Sequence, residues 1–131
     1  MIVVDASALL ELLLATRRAE AVGARALAAG ETLHAPHLLD VEIAQALRRL
    51  VQLRELSVAR AEHALHDFAD FMIERHAHGA LLSRMWQLRE SVSAYDAAYL
   101  ALAEALEAPL LTCDGKLARS HGLAAEVQLI S

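Results

Sequence analysis

Four carboxylates stand where the chain could bring them together on a divalent metal ion. Asp5 follows the apolar run 1–4, and Asp114 follows the apolar run 109–113. Glu42 and Asp96 lie near the starts of two segments with helical spacing. In an open parallel sheet, the carboxyl ends of strands and the amino ends of helices meet at one edge. Because converging carboxylates repel one another, this placement favours a bound cation.

Each of these acids also has an ordinary structural explanation. Asp5 could cap the helix that follows it, and Asp96 could interact with a helix N-terminus. Asp114 precedes Gly115 in a common turn pair, and Glu42 could be a solvated helix residue. The four together are more specific, because each lies at an element boundary beside apolar residues. A buried carboxylate without a partner is costly, so the set indicates a metal site.

The ligand type limits the metal and the reaction. Carboxylate oxygens and water suit Mg²⁺ or Mn²⁺. Such ions activate water and neutralise phosphate, so the chemistry indicated is phosphodiester hydrolysis. Ser7 and Thr112 lie two residues from Asp5 and Asp114. Their hydroxyls could bond a carboxylate, a metal-bound water or a phosphate, and they could equally be helix or turn caps.

Length and composition indicate one globular domain over residues 1–131. Apolar residues make up 56% of the 131-residue chain, which argues against disorder. The net charge of -5 is weak evidence against a nucleic-acid binder, since four metal-site acids contribute much of it. Cys113 is the only cysteine, which excludes an internal disulfide and fits the cytoplasm. We expect no membrane span and no signal peptide.

Strand and helix patterns alternate along the chain. Apolar runs predict strands at residues 1–5, 32–35, 72–75, 109–112 and 127–130. Helical spacing predicts helices at residues 7–14, 19–29, 38–54, 57–71, 80–90, 94–106 and 116–121. Ser57 and Ser93 are expected N-caps, and Gly30 is expected to end the second helix. The alternation predicts an α/β fold with a twisted, mainly parallel sheet between helices.

Four segments, in order and across essentially the whole chain, resemble the motifs of PIN-domain proteins. They are MIVVDAS at 1–7, APHLLDVE at 35–42, SAYDAAYLALA at 93–103 and LLTCDGKLA at 110–118. The third segment is the most specific. The small size and these motif variants look most like the VapC toxins of bacterial toxin–antitoxin pairs.

The resemblance implies a three-layer α/β/α PIN-like fold and a Mg²⁺- or Mn²⁺-dependent endoribonuclease. It implies an RNA substrate, dimers, and inhibition by a cognate VapB-type antitoxin that inserts a C-terminal segment into the site. By motif position, Asp5, Glu42, Asp96 and Asp114 match the metal-binding catalytic acids of the family. Ser7 and Thr112 match the small hydroxyl residues beside them.

Two details of the motifs leave alternatives open. Asp40 lies two residues before Glu42, and on a helix the two side chains point apart. We assign Glu42 to the site because it matches the motif. Some relatives carry a further acid after the fourth one, where this chain has Lys116 and Leu117. A single strong metal site completed by substrate phosphate is therefore an alternative to two metal ions.

Histidine and arginine residues offer further candidate sites. Three histidine pairs invite a zinc interpretation, namely His34 and His37, His63 and His66, and His76 and His78. A zinc site needs about four convergent ligands, and the lone cysteine provides no thiolate pair. We therefore expect surface histidines. Arg48, Arg49 and Arg54 could contact RNA phosphate or an antitoxin carboxylate, and a solvated helix face is the simpler interpretation.

Two other functions remain open from the residues alone. Asp5 after a first strand could be the nucleophile of a phosphotransfer domain, although Ser7 stands where that pattern has a second Asp. The chain could also be a non-catalytic RNA-binding or scaffold module. The presence of all four acids argues against the second alternative.

Overall fold

Five short parallel strands form the centre of the fold, and each is too short to be stable alone. The computed structural model describes residues 1–120 and 124–131. The strands are β1 (Ile2–Val4), β2 (Leu33–Pro36), β3 (Ile73–His76), β4 (Leu110–Thr112) and β5 (Val127–Leu129). They pair in the order β3-β2-β1-β4-β5, and every pairing is parallel. The predicted parallel sheet is therefore confirmed.

Helices connect the strands and cover the sheet. They are α1 (Ala6–Leu13), α2 (Ala19–Ala26), α3 (Leu38–Gln52), α4 (Val58–Asp70), α5 (Leu82–Gln87), α6 (Ala94–Leu106) and α7 (Gly115–Ala118). Helix α1 packs on α2, α3 and α4, whereas α6 packs on α5 and on β1, β2 and β4. No helix in the described ranges is long and apolar enough to cross a bilayer.

Capping side chains fix where several helices begin. Ser57 Oγ accepts a hydrogen bond from the Arg60 amide (3.1 Å), and Ser93 Oγ accepts one from the Asp96 amide (3.2 Å). Both were predicted as N-caps. Asp114 was predicted in a turn, but its carboxylate caps α7 by accepting from the Lys116 amide at 2.9 Å. These caps fix the first residue of each of the three helices.

Small residues let α6 lie close against the sheet. Residues 97–103 of this helix are all buried, and four of the seven are alanine. Tyr99, Leu100 and Leu102 are the larger exceptions, with 1%, 0% and 3% of their surface exposed. Burying such a run all round requires a partner on every side of the helix, which the sheet and α5 supply. The helix that carries Asp96 is thus rigidly seated.

Two sequence-based expectations need correction, and a third concerns a residue that the structure does not describe. Residues 80–90 form a 3₁₀ turn (Gly79–Leu81) and the six-residue α5, and only Leu88 of this segment is buried. The second helix ends at Ala26, and Gly30 has a φ of +83° in the turn that follows. Helix α7 covers Gly115–Ala118, and the predicted end of this helix at His121 lies outside the described residues.

Candidate active site

The order in which the chain adds strands to the sheet reverses at β1, and the candidate residues lie at this point. The chain passes from β1 to β2 and β3 on one side, and then returns to β4 and β5 on the other. In parallel α/β folds, the crevice beyond the strand ends at such a switch point is the usual ligand site. Asp5 follows β1, and Asp114 lies two residues beyond β4. The predicted convergence of these two acids at one edge is confirmed by the strand order.

Asp5 is buried, and three groups hold its carboxylate. Its Oδ1 accepts hydrogen bonds from Ser7 Oγ (2.7 Å) and from the Ala8 amide (2.9 Å), and its Oδ2 accepts one from Thr112 Oγ1 (2.5 Å). Burial raises the pKa of Asp5, and the nearby charge of Asp96 raises it further. The hydrogen bonds from Thr112, Ala8 and Ser7 oppose this rise. Asp5 is therefore the N-cap of α1, and its carboxylate is held in a fixed position where burial and Asp96 disfavour its negative charge.

The hydroxyls of Ser7 and Thr112 form a bridge between the start of α1 and the end of β4. The two oxygens lie 3.2 Å apart. Ser7 Oγ also accepts from the Cys113 amide, and Thr112 Oγ1 accepts from the Asp114 amide, both at 2.9 Å. Each hydroxyl thus joins a carboxylate on one side to a backbone N–H on the other. Of the roles considered from sequence, both hydroxyls bond a carboxylate. Thr112 also forms a turn with Asp114, whereas Ser7 bonds the amide of the distant Cys113.

Glu42 points from α3 toward the same edge and contacts a residue that sequence reasoning missed. The phenolic hydroxyl of Tyr99 donates a hydrogen bond to Glu42 Oε1 at 2.6 Å. Burial raises the pKa of Glu42, as do the charges of Asp96 and Asp5, while the Tyr99 hydroxyl lowers it. Burial and the adjacent carboxylates raise the pKa of Tyr99 far above its usual value, so the hydroxyl keeps its proton. Tyr99 is three residues from Asp96, a spacing that places both on one helix face.

Asp96 on α6 and Asp114 after β4 complete the set of four acids. Burial raises the pKa of Asp96, and the charge of Asp114 adds to this rise. The positive charge of Lys116 and the Ser93 hydroxyl oppose it. Asp96 and Lys116 also line a pocket of about 400 Å³, together with Arg89. The acidic site therefore opens beside two cationic side chains.

The donor set fits a hard divalent cation. None of the ion pairs found in residues 1–120 and 124–131 includes any of the four acids. Three of them nevertheless have pKa values raised by burial and by one another. Within the described part of the chain, no three of the four place their oxygens within 4.8 Å of one another. Mg²⁺ usually keeps several of its waters, and water can bridge such wider separations.

Asp40 has a different environment from Glu42. Its carboxylate accepts from Arg75 Nε at 2.9 Å, and Arg75 Nη2 lies 2.8 Å away. The Arg75 guanidinium also lies 5.4 Å from the centre of the Phe68 ring. The charge of Asp40 is thus neutralised by Arg75 on β3, whereas Glu42 has no cationic partner among the described residues. This difference supports the choice of Glu42 over Asp40.

Comparison with known proteins gives a consistent result. Residues 2–122 match the family model described as the PIN domain. Ribonuclease VapC12 of Mycobacterium tuberculosis is 42% identical over 131 residues, which is all of both chains. Ribonuclease VapC9 of the same organism is 47% identical over 117 residues, covering 89% of this chain and 88% of the relative.

Solved structures agree on the fold. PAE2754 from Pyrobaculum aerophilum superposes with a TM-score of 0.69 at 23% identity, covering 96% of this chain and 81% of its own. The VapBC2 structure from Rickettsia felis, bound to a DNA fragment from its promoter, gives 0.69 at 15% identity, covering 98% and 99%. At these identities the likeness concerns the fold alone.

Proposed function

This chain belongs to the PIN-domain family, and we propose that it is a divalent-metal-dependent endoribonuclease, the toxin of a VapBC-type toxin–antitoxin pair. Whole-length similarity to proteins named VapC ribonucleases supports the activity. The observation that carries the mechanism is the group of four acids at the strand-order switch, three with raised pKa values. Such a group is stabilised when a cation binds.

We propose that Asp5, Glu42, Asp96 and Asp114 hold Mg²⁺ or Mn²⁺. When bound, such an ion would lower the pKa of the attacking water and would neutralise negative charge on the phosphate. Asp5 provides the most fixed carboxylate, because Ser7, Thr112 and the Ala8 amide orient both of its oxygens. Glu42 is oriented through Oε1 by Tyr99. Preorganised ligands of this kind need little rearrangement when the ion binds.

Cationic side chains beside the acids are suited to the RNA backbone. Lys116 and Arg89 line the pocket that Asp96 faces. A negatively charged RNA would otherwise be repelled by a chain of net charge -5. We assign these two residues to phosphate contact. Arg48, Arg49 and Arg54 are exposed on and after α3 and remain candidates for contacts with RNA or antitoxin.

We propose that a VapB-type antitoxin inhibits the enzyme, that the toxin forms homodimers, and that it acts in the cytoplasm as one domain over residues 1–131. The similarity to proteins named VapC, and the shared fold with a VapBC structure, support the antitoxin. The homodimer is what the family resemblance implies. Exposed apolar side chains on α3 and α4, among them Val41, Val58 and Leu65, offer surface for such contacts. The mass of the purified protein, measured by light scattering alone and with the antitoxin, tests both assemblies.

A cleavage assay tests the activity. Protein freed of antitoxin is incubated with total cellular RNA in EDTA, Mg²⁺ or Mn²⁺. Asp96→Asn is compared with Asp40→Asn, an acid on α3 that Arg75 neutralises. We expect discrete fragments that require metal, disappear with Asp96→Asn and persist with Asp40→Asn. Folded wild-type protein that cuts no RNA with either metal, or equal cutting by Asp96→Asn, would exclude the proposal.

A further inference from the structure

A second group of potential metal ligands lies on the outer part of the sheet. His34 on β2 pairs in register with Glu74 on β3, and Pro36 pairs with His76. Neighbours in register share a face, and residues two apart on a strand share it too. His34, Glu74 and His76 therefore project from the same face. In the described part of the chain they are the one set of three His, Cys, Asp or Glu residues whose ligand atoms lie within 4.8 Å of one another.

Two distances within this triad are close to those between ligands of a bound ion. His34 Nδ1 lies 3.0 Å from His76 Nε2 and 3.6 Å from Glu74 Oε2. Two ligands at about 2.0 Å from a tetrahedral ion are roughly 3.3 Å apart. An ion can therefore replace the contacts among the three side chains with small movements of their ends. Glu74 is 68% exposed, so it can adjust freely.

The surroundings of His34 prepare it to bind a metal through Nδ1. Its other ring nitrogen, Nε2, lies 2.9 Å from Thr32 Oγ1. With the proton on Nε2, the ring donates to Thr32 and presents the Nδ1 lone pair to His76. Metal-binding histidines usually have such an outer partner, which fixes the tautomer and ring orientation. Burial also lowers the pKa of His34, which keeps the ring in the neutral form that metals require.

We propose that His34, His76 and Glu74 bind a transition-metal dication of the Zn²⁺ type. Two imidazoles and one carboxylate suit Zn²⁺ and its neighbours better than Mg²⁺. Three protein ligands leave one position for water, and the exposed Glu74 carboxylate places this position toward solvent. His78 is not part of the set, since its Nε2 already accepts from the Leu38 amide at 3.0 Å.

This site is distinct from the four acids. Strand β2 separates β3, which carries Glu74 and His76, from β1 and Asp5. The triad joins the edge strand β3 to β2, so a bound ion would stabilise that edge. The inference does not rest on the proposed ribonuclease activity.

Cobalt(II) titration tests the site, because Co²⁺ bound by histidine gives visible absorption bands. We expect the visible bands to saturate at one Co²⁺ per chain in wild type and to be lost when Zn²⁺ displaces it, because Co²⁺ held by the oxygen ligands of the four acids absorbs only weakly. Zn²⁺ should also raise the melting temperature. His76→Gln and Glu74→Gln should each weaken the cobalt Kd at least about 10-fold. His63→Gln, at an exposed histidine on α4 near Asp67, and Asp96→Asn should leave it unchanged.

Circular dichroism checks that each variant is folded. Glu74→Gln changes an exposed side chain, so it keeps the test valid if His76→Gln does not fold. Absence of cobalt bands in wild type would overturn the proposal. So would bands that survive in folded Glu74→Gln and His76→Gln, or that disappear in Asp96→Asn.

Discussion

Tyr99 on α6 donates a 2.6 Å hydrogen bond to Glu42 on α3, and so joins two of the motifs that are far apart in sequence. The tyrosine is 1% exposed. Because its hydroxyl is paired with a carboxylate, the bond is of the charge-assisted kind. The helix that carries Asp96 thereby also sets the orientation of Glu42.

Tyr99→Phe removes this hydroxyl and keeps the packed ring. The hydrogen bond lowers the pKa of Glu42, so its loss should raise that pKa and shift the acid limb of the pH–rate profile upward. We expect cleavage to fall about 10-fold near neutral pH, from the cost of about 1.5 kcal/mol for a bond to a charged group. The measurement is the metal-dependent cleavage rate from pH 5.5 to 9.

Tyr95→Phe is the matched control, since Tyr95 lies on the same helix and is 62% exposed. It should leave both the rate and the profile unchanged. A profile for Tyr99→Phe that superposes on wild type would show that the hydroxyl does not tune Glu42.

Asp96→Asn should stabilise the metal-free protein at neutral pH. The folded-state pKa of Asp96 is raised by burial and by Asp114, so ionisation favours the unfolded state. The protonated form of Asp96 therefore favours the folded state. This part of the unfolding free energy is lost as the pH rises through the carboxyl range, and it returns as the pH falls. We expect the variant to be about 0.5–1 kcal/mol more stable in EDTA at pH 7. Urea unfolding at pH 7 and pH 4.5 should show the gain shrinking at the lower pH.

Glu62→Gln, at an exposed acid on α4, serves as the comparison and should change stability by less than about 0.5 kcal/mol. If Asp96→Asn unfolds more easily than wild type in EDTA at pH 7, the carboxylates do not repel one another as described.

Thr112→Val should disturb the site more than Thr112→Ser. Thr112 is fully buried, and its hydroxyl donates to Asp5 and accepts from the Asp114 amide. Valine leaves Asp5 Oδ2 and the Asp114 amide without this partner, at a cost of about 1–3 kcal/mol in unfolding free energy. Serine keeps the hydroxyl. Urea unfolding and cleavage rates should place the serine variant near wild type and the valine variant well below it, and equal values for both variants would contradict the hydroxyl's role.

Local signals were enough to predict much of this molecule. Ser57 and Ser93 are followed by helical spacing, and a capping hydroxyl depends only on the three residues after it. The position of Asp5 after a buried strand follows equally from local pattern. Since all strands are parallel, any acid just after a strand must lie at the same edge.

Contacts between distant residues were beyond local patterns. Glu42 and Tyr99 are 57 residues apart, and His34 and His76 are 42 apart. Whether such pairs touch depends on strand register and on the rotation of each helix about its axis, which a single sequence does not specify. The expectation of surface histidines was accordingly wrong for His34, which is 4% exposed.

The segment 80–90 shows how helical spacing can mislead. Helical spacing places Leu82 and Trp86 on one side of the predicted helix, but they are 60% and 69% exposed. The helix ends at Gln87, and Leu88, which does not lie on that side, is the residue that enters the core. With only six helical residues, periodicity alone could not distinguish a buried stripe from an exposed one.

Trp86→Ser should therefore destabilise the fold less than Leu88→Ala, although tryptophan is the larger side chain. The Trp86 ring contacts the Arg89 guanidinium at 4.9 Å on the surface, and an exposed contact of this kind contributes about 0.5–1 kcal/mol. Leu88 is 2% exposed, and truncating a buried leucine costs about 2–5 kcal/mol. Urea unfolding of both variants in EDTA measures the difference. A larger loss for Trp86→Ser, at a protein concentration where the chain is monomeric, would mean that the tryptophan is part of the core and that α5 is seated differently on α6.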